Sequence, residues 1–548
     1  MSQKRVNKMK KNILKLFIFF LTFVIGNHFG LAADQKPDYW PTDGWRASTP
    51  EEQGMHSEKL SDMLEKTLRE KYRIDSITII RNGHMVLDAY FYPFKKDSKH
   101  IIHSCTKSIT SAAFGIAVDK GYIKNIEQPV VEIFPEKQFS NLGDDKKAIT
   151  LKNLLTMTSG LNTKDSYIYN WVGLNAMTQT NDWVQSVLDR PMAEKPGTQF
   201  EYSNCVTFML SAIIQKSTKQ NTFDFMKKYL FEPLGIADIR WASSPEGINV
   251  GYGMMWLTPH DMAKIGWLYL NKGQWGDKQV ISEKWVRDST QKHFSATLFD
   301  GYGYQWWISP GKFYAAVGYG GQFIFVIPKK NMVVVFTSTL ERDEFFKPEN
   351  LLSQFIIPAA VSHKPFPENS RQTTRLDSLI KKGAESQPYV WKTKEEGVAQ
   401  DSLFTRTAMP AFKLRYPPGC LKVELHPELP HQVMTMKTLD QIRFAAYVID
   451  TPNDISLKDF AAKYYVPKLK DFSSYFSDIT IISNKKIVLK GNTTAYRTDI
   501  TYKSGGWPNN LVVVAAQRQN KYIYVAAGGW ARRSIEDQVK IVESLTFE

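Results

Sequence analysis

The sequence predicts an α/β (α+β) chain of two domains: one sheet with helices on both faces, then a smaller α+β domain. Three observations predict it. Strand–turn–strand signals stand at 76–91 and again at 323–338, with helical patterns between them. A sheet built from both ends, with the middle packed on its faces, satisfies that order. Residues 362–402 are rich in Pro, Lys, Glu, Ser and Gln, and short strands around one helix follow from Phe404. The 548 residues exceed one ordinary core, and 43% hydrophobic with 13% aromatic residues marks a globular chain.

Taken in order, the first 32 residues read as a secretory signal. Lys4, Arg5, Lys8, Lys10, Lys11 and Lys15 form a basic start, Leu16 to Ile25 an apolar core, and Gly30-Leu31-Ala32 a small-residue cleavage site. The apolar run falls short of the roughly 20 residues a membrane span needs. The expected location is therefore exported, periplasmic or secreted. Residues 34–55 are polar and rich in Pro and Gly, an extended segment. Ser57 to Lys71 has Leu60, Met63, Leu64 and Leu68 on one helical face. Ser76 to Ile80, Asn82-Gly83 and Met85 to Phe91 predict a hairpin, because Asn-Gly suits a tight type I′ turn. Ser104 opens a small, apolar helix to about Asp119. Helical segments run on to Lys292, among them Leu151 to Met157 and Cys205 to Lys216. Phe323 to Pro328, a Lys-Lys-Asn turn and Met332 to Ser338 form a second hairpin. In the linker a short helix is expected around Leu376–Lys382. Beyond it, strands are expected at Lys413–Tyr416, Ile479–Ile482, Ala495–Tyr502, Leu511–Gln517 and Lys521–Ala527. Helices are expected at Leu457 to Phe472 and Ile535–Val542.

The chemistry lies in two short motifs. His103-Ser104-Cys105-Thr106-Lys107 holds an S-x-x-K tetrad and Glu201-Tyr202-Ser203-Asn204-Cys205 a Y-x-N triad, 98 positions apart from Ser104 to Tyr202. S-x-x-K alone says little: four more begin at Ser289, Ser309, Ser378 and Ser483, and Tyr269-Leu270-Asn271 is a second Y-x-N. Context singles out Ser104, with a hairpin before it and an apolar helix after it. Positions i and i+3 share a helix face, so Ser104 and Lys107 stand side by side. Burial against Ile109, Ala112 and Ala113 would depress the lysine. A neutral lysine can accept the serine proton, and a charged one can stabilise a tyrosinate at Tyr202 that does so; either route activates a weak nucleophile. Asn204 can hold Lys107 or a substrate carbonyl. The amide of Ser104 at the positive helix start, with a second amide from Gly318-Tyr319-Gly320-Gly321, would make an oxyanion hole.

The chain here resembles the serine β-lactamase and penicillin-binding protein superfamily, closest to its class C branch. Besides the two motifs, the residues that carry the resemblance are Ile149 to Leu161 (with Thr158-Ser159-Gly160-Leu161), Lys195-Pro196-Gly197-Thr198, Pro233-Leu234-Gly235 and Leu257 to Ala263. It covers roughly residues 40–360. Gly318-Tyr319-Gly320-Gly321-Gln322 is similar to 6-aminohexanoate-dimer hydrolase and to related amidases and family VIII carboxylesterases. The resemblance implies a β-lactamase/transpeptidase-like antiparallel sheet flanked by helices plus a helical subdomain. It also implies Ser104 as nucleophile, Lys107 and Tyr202 as the base pair, and Asn204, Tyr319 and Gly320 around the substrate carbonyl. One departure is informative: Tyr319 stands where β-lactamases and peptidases carry a Lys or His. That weakens carboxylate recognition of a penicillin or a D-alanyl peptide and favours a carboxylic ester or a small amide. Tyr167, Tyr169 and Trp171 lie where related enzymes build a substrate wall. Phe412 to Gly419 and Ile541 to Phe547 resemble, more weakly, PsbP-like and Mog1-like domains, for which a docking role toward an envelope partner is the expectation.

Other classes gain less support. The net charge is +15; with the six signal cations removed a net charge of +9 remains, with no dense basic block, so nucleic acid is not implied. Neither a metal nor an organic cofactor is expected, since no C-x-x-C or H-E-x-x-H spacing occurs and His426, Glu428 and His431 sit in a proline-rich loop. Cys105, Cys205 and Cys420 leave a Cys105–Cys205 bridge conceivable, with two small buried hydrophobes as the alternative. The resulting expectation is an exported serine hydrolase working through an acyl-enzyme. The alternatives are a D-alanyl peptidase or β-lactamase, and an envelope peptide receptor that acylates once and stalls.

Overall fold

The computed structural model describes residues 37–385 except 166–170 and 297. It also describes most of 390–547, with breaks at 393–396, 401–402, 417–420, 423–431, 438–442, 452–454, 473–475, 505–506 and 531–534. The signal segment, Tyr167, Tyr169, Cys420, His426, Glu428 and His431 lie outside the described residues.

The first domain rests on a seven-stranded sheet: β1 (Ile74–Arg81), β2 (His84–Tyr90), β3 (Gly301–Tyr302), β4 (Trp307–Ser309), β5 (Phe313–Gly318), β6 (Gln322–Ile327) and β7 (Met332–Ser338), in the order β2-β1-β7-β6-β5-β4-β3. All pairings are antiparallel, and Ile77 faces Phe336 across β1 and β7. The two hairpins thus join side by side through β1 and β7, so strands from both ends of this region share one sheet as expected. Asn82 at φ 51° and Gly83 at φ 86° make the first turn, which needs positive φ at both positions. Strands β1, β5, β6 and β7 are buried at every residue; β5, β6 and β7 read as near-continuous apolar runs for that reason, while β1 also buries Asp75, Ser76, Thr78 and Arg81.

The helices that position the site are α1 (Ser57–Arg69), α2 (Cys105–Asp119), α3 (Asn204–Thr218), α4 (Pro259–Leu270) and α5 (Ser370–Ala384). Helix α4 lies across β1, β6 and β7, and α2 lies against α3, β5 and β6. Two glycines permit the close approaches. A Cβ on Gly266 of α4 would sit 2.5 Å from Val333, and one on Gly115 of α2 would sit 2.4 Å from the Trp285 ring. Helix α5 is longer than the turn or two expected in the linker and docks on α1 and β2. Leu376 is buried, Arg375 reaches Asp62 at 2.9 Å, and the Tyr92 N–H donates to Gly383 O at 2.8 Å. Its apolar stripe is narrow, so the pattern alone understated its length.

The C-terminal part holds a second seven-stranded antiparallel sheet: β8 (Leu421–Lys422), β9 (Gln432–Lys437), β10 (Arg443–Asp450), β11 (Phe476–Leu489), β12 (Thr493–Ser504), β13 (Trp507–Arg518) and β14 (Lys521–Trp530), ordered β8-β9-β10-β14-β13-β12-β11. One face packs on Phe404, Phe412, Leu414 and the helix Ile535–Val542. The other carries Tyr447, Tyr522 and Tyr524 beneath Phe460 and the helix ending at Phe472. The strands expected at Ile479–Ile482, Ala495–Tyr502, Leu511–Gln517 and Lys521–Ala527 appear, each within a longer one, and that expected at Lys413–Tyr416 appears as Phe412–Arg415 in a separate five-stranded sheet. Strands β8, β9 and β10 are not among the expected ones. Among the described residues no helix is long and apolar enough to cross a membrane.

Candidate active site

Ser104 precedes α2 in a tight turn, at φ −71° and ψ −6°. His103 before it has φ 46°, and its carbonyl accepts from the Thr106 N–H at 3.1 Å and the Thr106 hydroxyl at 2.7 Å. Every residue of α2 from Cys105 to Ala117 is buried, so Lys107 projects from a helix with no wet face at its start. Its side chain is 1% exposed. The ammonium donates to Ser104 Oγ at 3.1 Å, Asn204 Oδ1 at 2.6 Å and Tyr252 O at 3.0 Å. It also lies 4.8 Å from the Tyr202 ring centre and 5.6 Å from that of Tyr252.

Local structure explains the convergence. The strand His100–Ile101 pairs with Met255–Leu257, and the Ile102 N–H donates to Met255 O at 2.9 Å. The chain entering Ser104 is thereby tied to the loop that presents Tyr252. Ser203 caps α3 by accepting from the Val206 N–H, which sets Asn204 on the first turn and Tyr202 just ahead of it. Gln305, buried at φ 66°, joins the helices: its carbonyl accepts from Ser108, its side chain accepts from Thr207, and its amide donates to Leu155 O at 2.9 Å.

Burial dominates the electrostatics. It pulls Lys107 down to about 7, opposed mainly by the Asp165 charge. It pushes the Tyr202 phenol well above its ordinary value, opposed by a hydrogen bond with Ser104. Trp307 stacks on the Tyr202 ring at 5.5 Å and 25°, and Tyr302 meets both edge-on.

The glycine turn lies beside the nucleophile segment. A Cβ on Gly318 would sit 2.3 Å from Ile102 O, and the Cys105 thiol donates to Gln322 O at 3.3 Å. Gly320 and Gly321 have φ 74° and 86°, the left-handed region glycine tolerates. Tyr319 between them and Gly318 is 56% exposed and meets the His103 ring edge-on at 5.7 Å. Trp171 opens the helix Val172–Thr178 at φ 58°, and Leu174 just after it donates its N–H to Asp165 Oδ1 at 3.1 Å. Cys105 and Cys205 are both buried, free thiols. This corrects the conceivable bridge: each is packed at a helix start as a small hydrophobe. Among the described residues no cluster of His, Cys, Asp and Glu could hold a metal.

Ser104, Lys107, Tyr202 and Asn204 therefore meet, with the Tyr319-Gly320 turn alongside. The sequence did not reveal Asp165, Tyr252 or Trp307. The only hints were the glycines flanking Tyr252; Asp165 stands in no motif and reaches the site by the path of its loop.

The beta-lactamase family model matches residues 62–355, more than half of the chain. A 6-aminohexanoate-dimer hydrolase of Paenarthrobacter ureafaciens is 22% identical over 284 residues, 48% of this chain and 71% of that protein. Protein flp of Staphylococcus aureus strain MW2 is 29% identical over 199 residues, 34% of this chain and only 38% of its own length. Among solved structures, EstCE1, a hydrolase with promiscuous acyltransferase activity, superposes with a TM-score of 0.45 at 12% identity, covering 55% of this chain and 99% of that one. The chain belongs to the beta-lactamase family.

Proposed function

We propose that this chain is an exported serine hydrolase that cleaves a carboxylic ester or a small amide through an acyl-enzyme. The observation that carries the reading is the buried Lys107 ammonium, shared between Ser104 Oγ, Asn204 Oδ1 and Tyr252 O. Ser104 Oγ attacks the carbonyl carbon, and its proton passes to Lys107 or Tyr202. The negative oxygen that forms is held by the backbone N–H groups of Ser104 and Tyr319. When the intermediate collapses, the bond from carbon to the leaving oxygen or nitrogen breaks, and the same proton goes to the leaving group. Water then attacks the acyl carbon, gives its proton to the base, and frees Ser104 and a carboxylic acid. Tyr319 brings an aromatic ring where a carboxylate-binding cation would stand, which favours substrates without a carboxylate at that point. The name of the Paenarthrobacter relative makes a linear amide the second substrate to try.

The test is p-nitrophenyl butyrate turnover by protein lacking residues 1–32, beside Ser104→Ala, with nitrocefin in parallel. Steady ester turnover that Ser104→Ala abolishes, with nitrocefin intact, is the expected result. A single burst without turnover would point to the receptor, and nitrocefin hydrolysis to a β-lactamase.

A further inference from the structure

The Asp165 carboxylate is fully buried and is claimed by no motif. Oδ2 accepts from the Cys205 N–H at 2.9 Å and the Ser203 hydroxyl at 3.3 Å, and Oδ1 from the Leu174 N–H at 3.1 Å. The Asn204 amide also points its Nδ2 to Oδ1, at 3.5 Å. Burial pushes the Asp165 carboxyl above its ordinary value, opposed first by the Cys205 N–H and then by the Lys107 charge, and in its ionised form it only accepts hydrogen bonds. It therefore holds the nitrogen of Asn204 toward itself and turns Oδ1 toward Lys107, where the bond measures 2.6 Å. The carboxylate also lies at the N-terminus of α3, where positive dipole and free N–H groups favour an anion. We propose that Asp165 is the positioning residue of this site: it fixes the Asn204 amide and supplies the negative charge that holds Lys107 as an ammonium beside Ser104.

The groups that face Lys107 single out this acid. Its own helix offers Cys105, the stretch before α3 offers Tyr202, α3 offers Cys205, and the 251–253 loop offers Tyr252. Burial pushes all four upward, so they are neutral near pH 7. Of the groups acting on Lys107, Asp165 is the largest opponent of its desolvation. Glu201 acts one step removed: it accepts from Thr163 and the Lys164 N–H, and burial raises it, with the Asp165 charge a smaller cause.

The inference rests on Ser104 being the nucleophile and on Lys107 being the group whose protonation controls it, so its test must separate the two. The rate at which a fluorophosphonate labels Ser104 is measured against pH in the full chain, in Asp165→Asn and in Asp165→Glu, with Ser104→Ala as blank. Asp165→Asn should fold, label about tenfold more slowly, and carry the Lys107 limb of its profile to lower pH by about one unit. Asp165→Glu keeps the charge, so its limb should stay while the rate falls. Absent labelling, or labelling that survives Ser104→Ala, overturns the nucleophile reading and this inference with it. Labelling at Ser104 with a limb unmoved in Asp165→Asn overturns this inference alone. If Asp165→Asn does not fold, a displaced limb in Asp165→Glu overturns it and a fixed limb supports it.

Discussion

Helices α2 and α5 set the same tetrad in opposite surroundings. Ser104 and Lys107 at the start of α2, and Ser378 and Lys381 within α5, each place a hydroxyl and an ammonium one turn apart. Lys107 is buried and bonded to Ser104, Asn204 and Tyr252, whereas Ser378 and Lys381 are exposed on a helix that packs through Leu376 and Arg375. The spacing brings the two groups within reach; burial and the second helix give them chemistry. Water around Ser378 leaves its hydroxyl a weak nucleophile. Around Lys107 the protein has replaced water with two aromatic rings and fixed oxygens, and a proton can leave near pH 7.

The largest expected effect breaks this contrast. Lys107→Met should cut kcat/KM for p-nitrophenyl butyrate on the order of 10³-fold, as loss of a positioned acid–base group does. It should also raise the melting temperature at pH 6–7. The folded chain holds this lysine at about 7, below its unfolded value of about 10.4. Unfolded chains therefore bind more protons between those limits, and wild-type stability rises with pH across that window. The penalty is largest below pH 7, so the melting advantage of Lys107→Met should shrink as pH approaches 10. A variant less stable than wild type at pH 6 would contradict the direction of the shift.

The pH profile of wild-type kcat/KM sharpens the same point. If neutral Lys107 takes the serine proton, activity rises with pH through about 7; if its ammonium holds a tyrosinate at Tyr202, the corresponding limb falls above that pH. Tyr202→Phe should cost on the order of 10²-fold in kcat. Trp307→Leu, which removes the stacked ring at 5.5 Å, should cost less and act through Tyr202 alone. The double variant with Tyr202→Phe should then be no worse than Tyr202→Phe by itself.

A smaller effect is expected at the glycine turn. Gly321→Ala adds a Cβ at φ 86° and 2.7 Å from Leu340. The turn must shift, taking the Tyr319 amide with it. A fall of about tenfold in kcat with KM nearly unchanged is expected if that amide is used mainly in the transition state; an equal change in KM alone would assign the turn to binding.

What could be read in advance follows the same division. Ser104, Lys107, Tyr202 and Asn204 were legible because each pair is set by a local spacing, and the hairpins because Asn82-Gly83 and Pro328 to Asn331 punctuate apolar runs. Asp165, Tyr252 and Trp307 were not, because only the paired strands at 100–101 and 255–257, the loop ending at Asp165 and the far sheet strands carry them to Lys107. Strand β10, Arg443 to Asp450, escaped for another reason: the short apolar run Phe444 to Ile449 resembles a buried helix turn as much as a strand, even with Thr451-Pro452-Asn453-Asp454 after it. The Cys105–Cys205 alternative shows the limit of proximity in sequence motifs. Both thiols sit beside site residues, yet Cys105 is directed to Gln322 O.

The smallest expected effect completes the comparison. Ser378→Ala with Lys381→Ala should leave ester turnover and fluorophosphonate labelling at wild-type rates, since both side chains are exposed and neither has a buried partner among the described residues. Arg375→Met, three residues before Ser378, should be felt slightly more. Its guanidinium joins α5 to Asp62 of α1, but the pair is partly exposed, and such pairs contribute at most about 1 kcal/mol. The effect should be a modest drop in melting temperature that added salt masks, without change in kcat. A loss of turnover in either variant would mean that α5 reaches the site through α1 and β2, and that the exposed tetrad is coupled to the buried one instead of idle beside it.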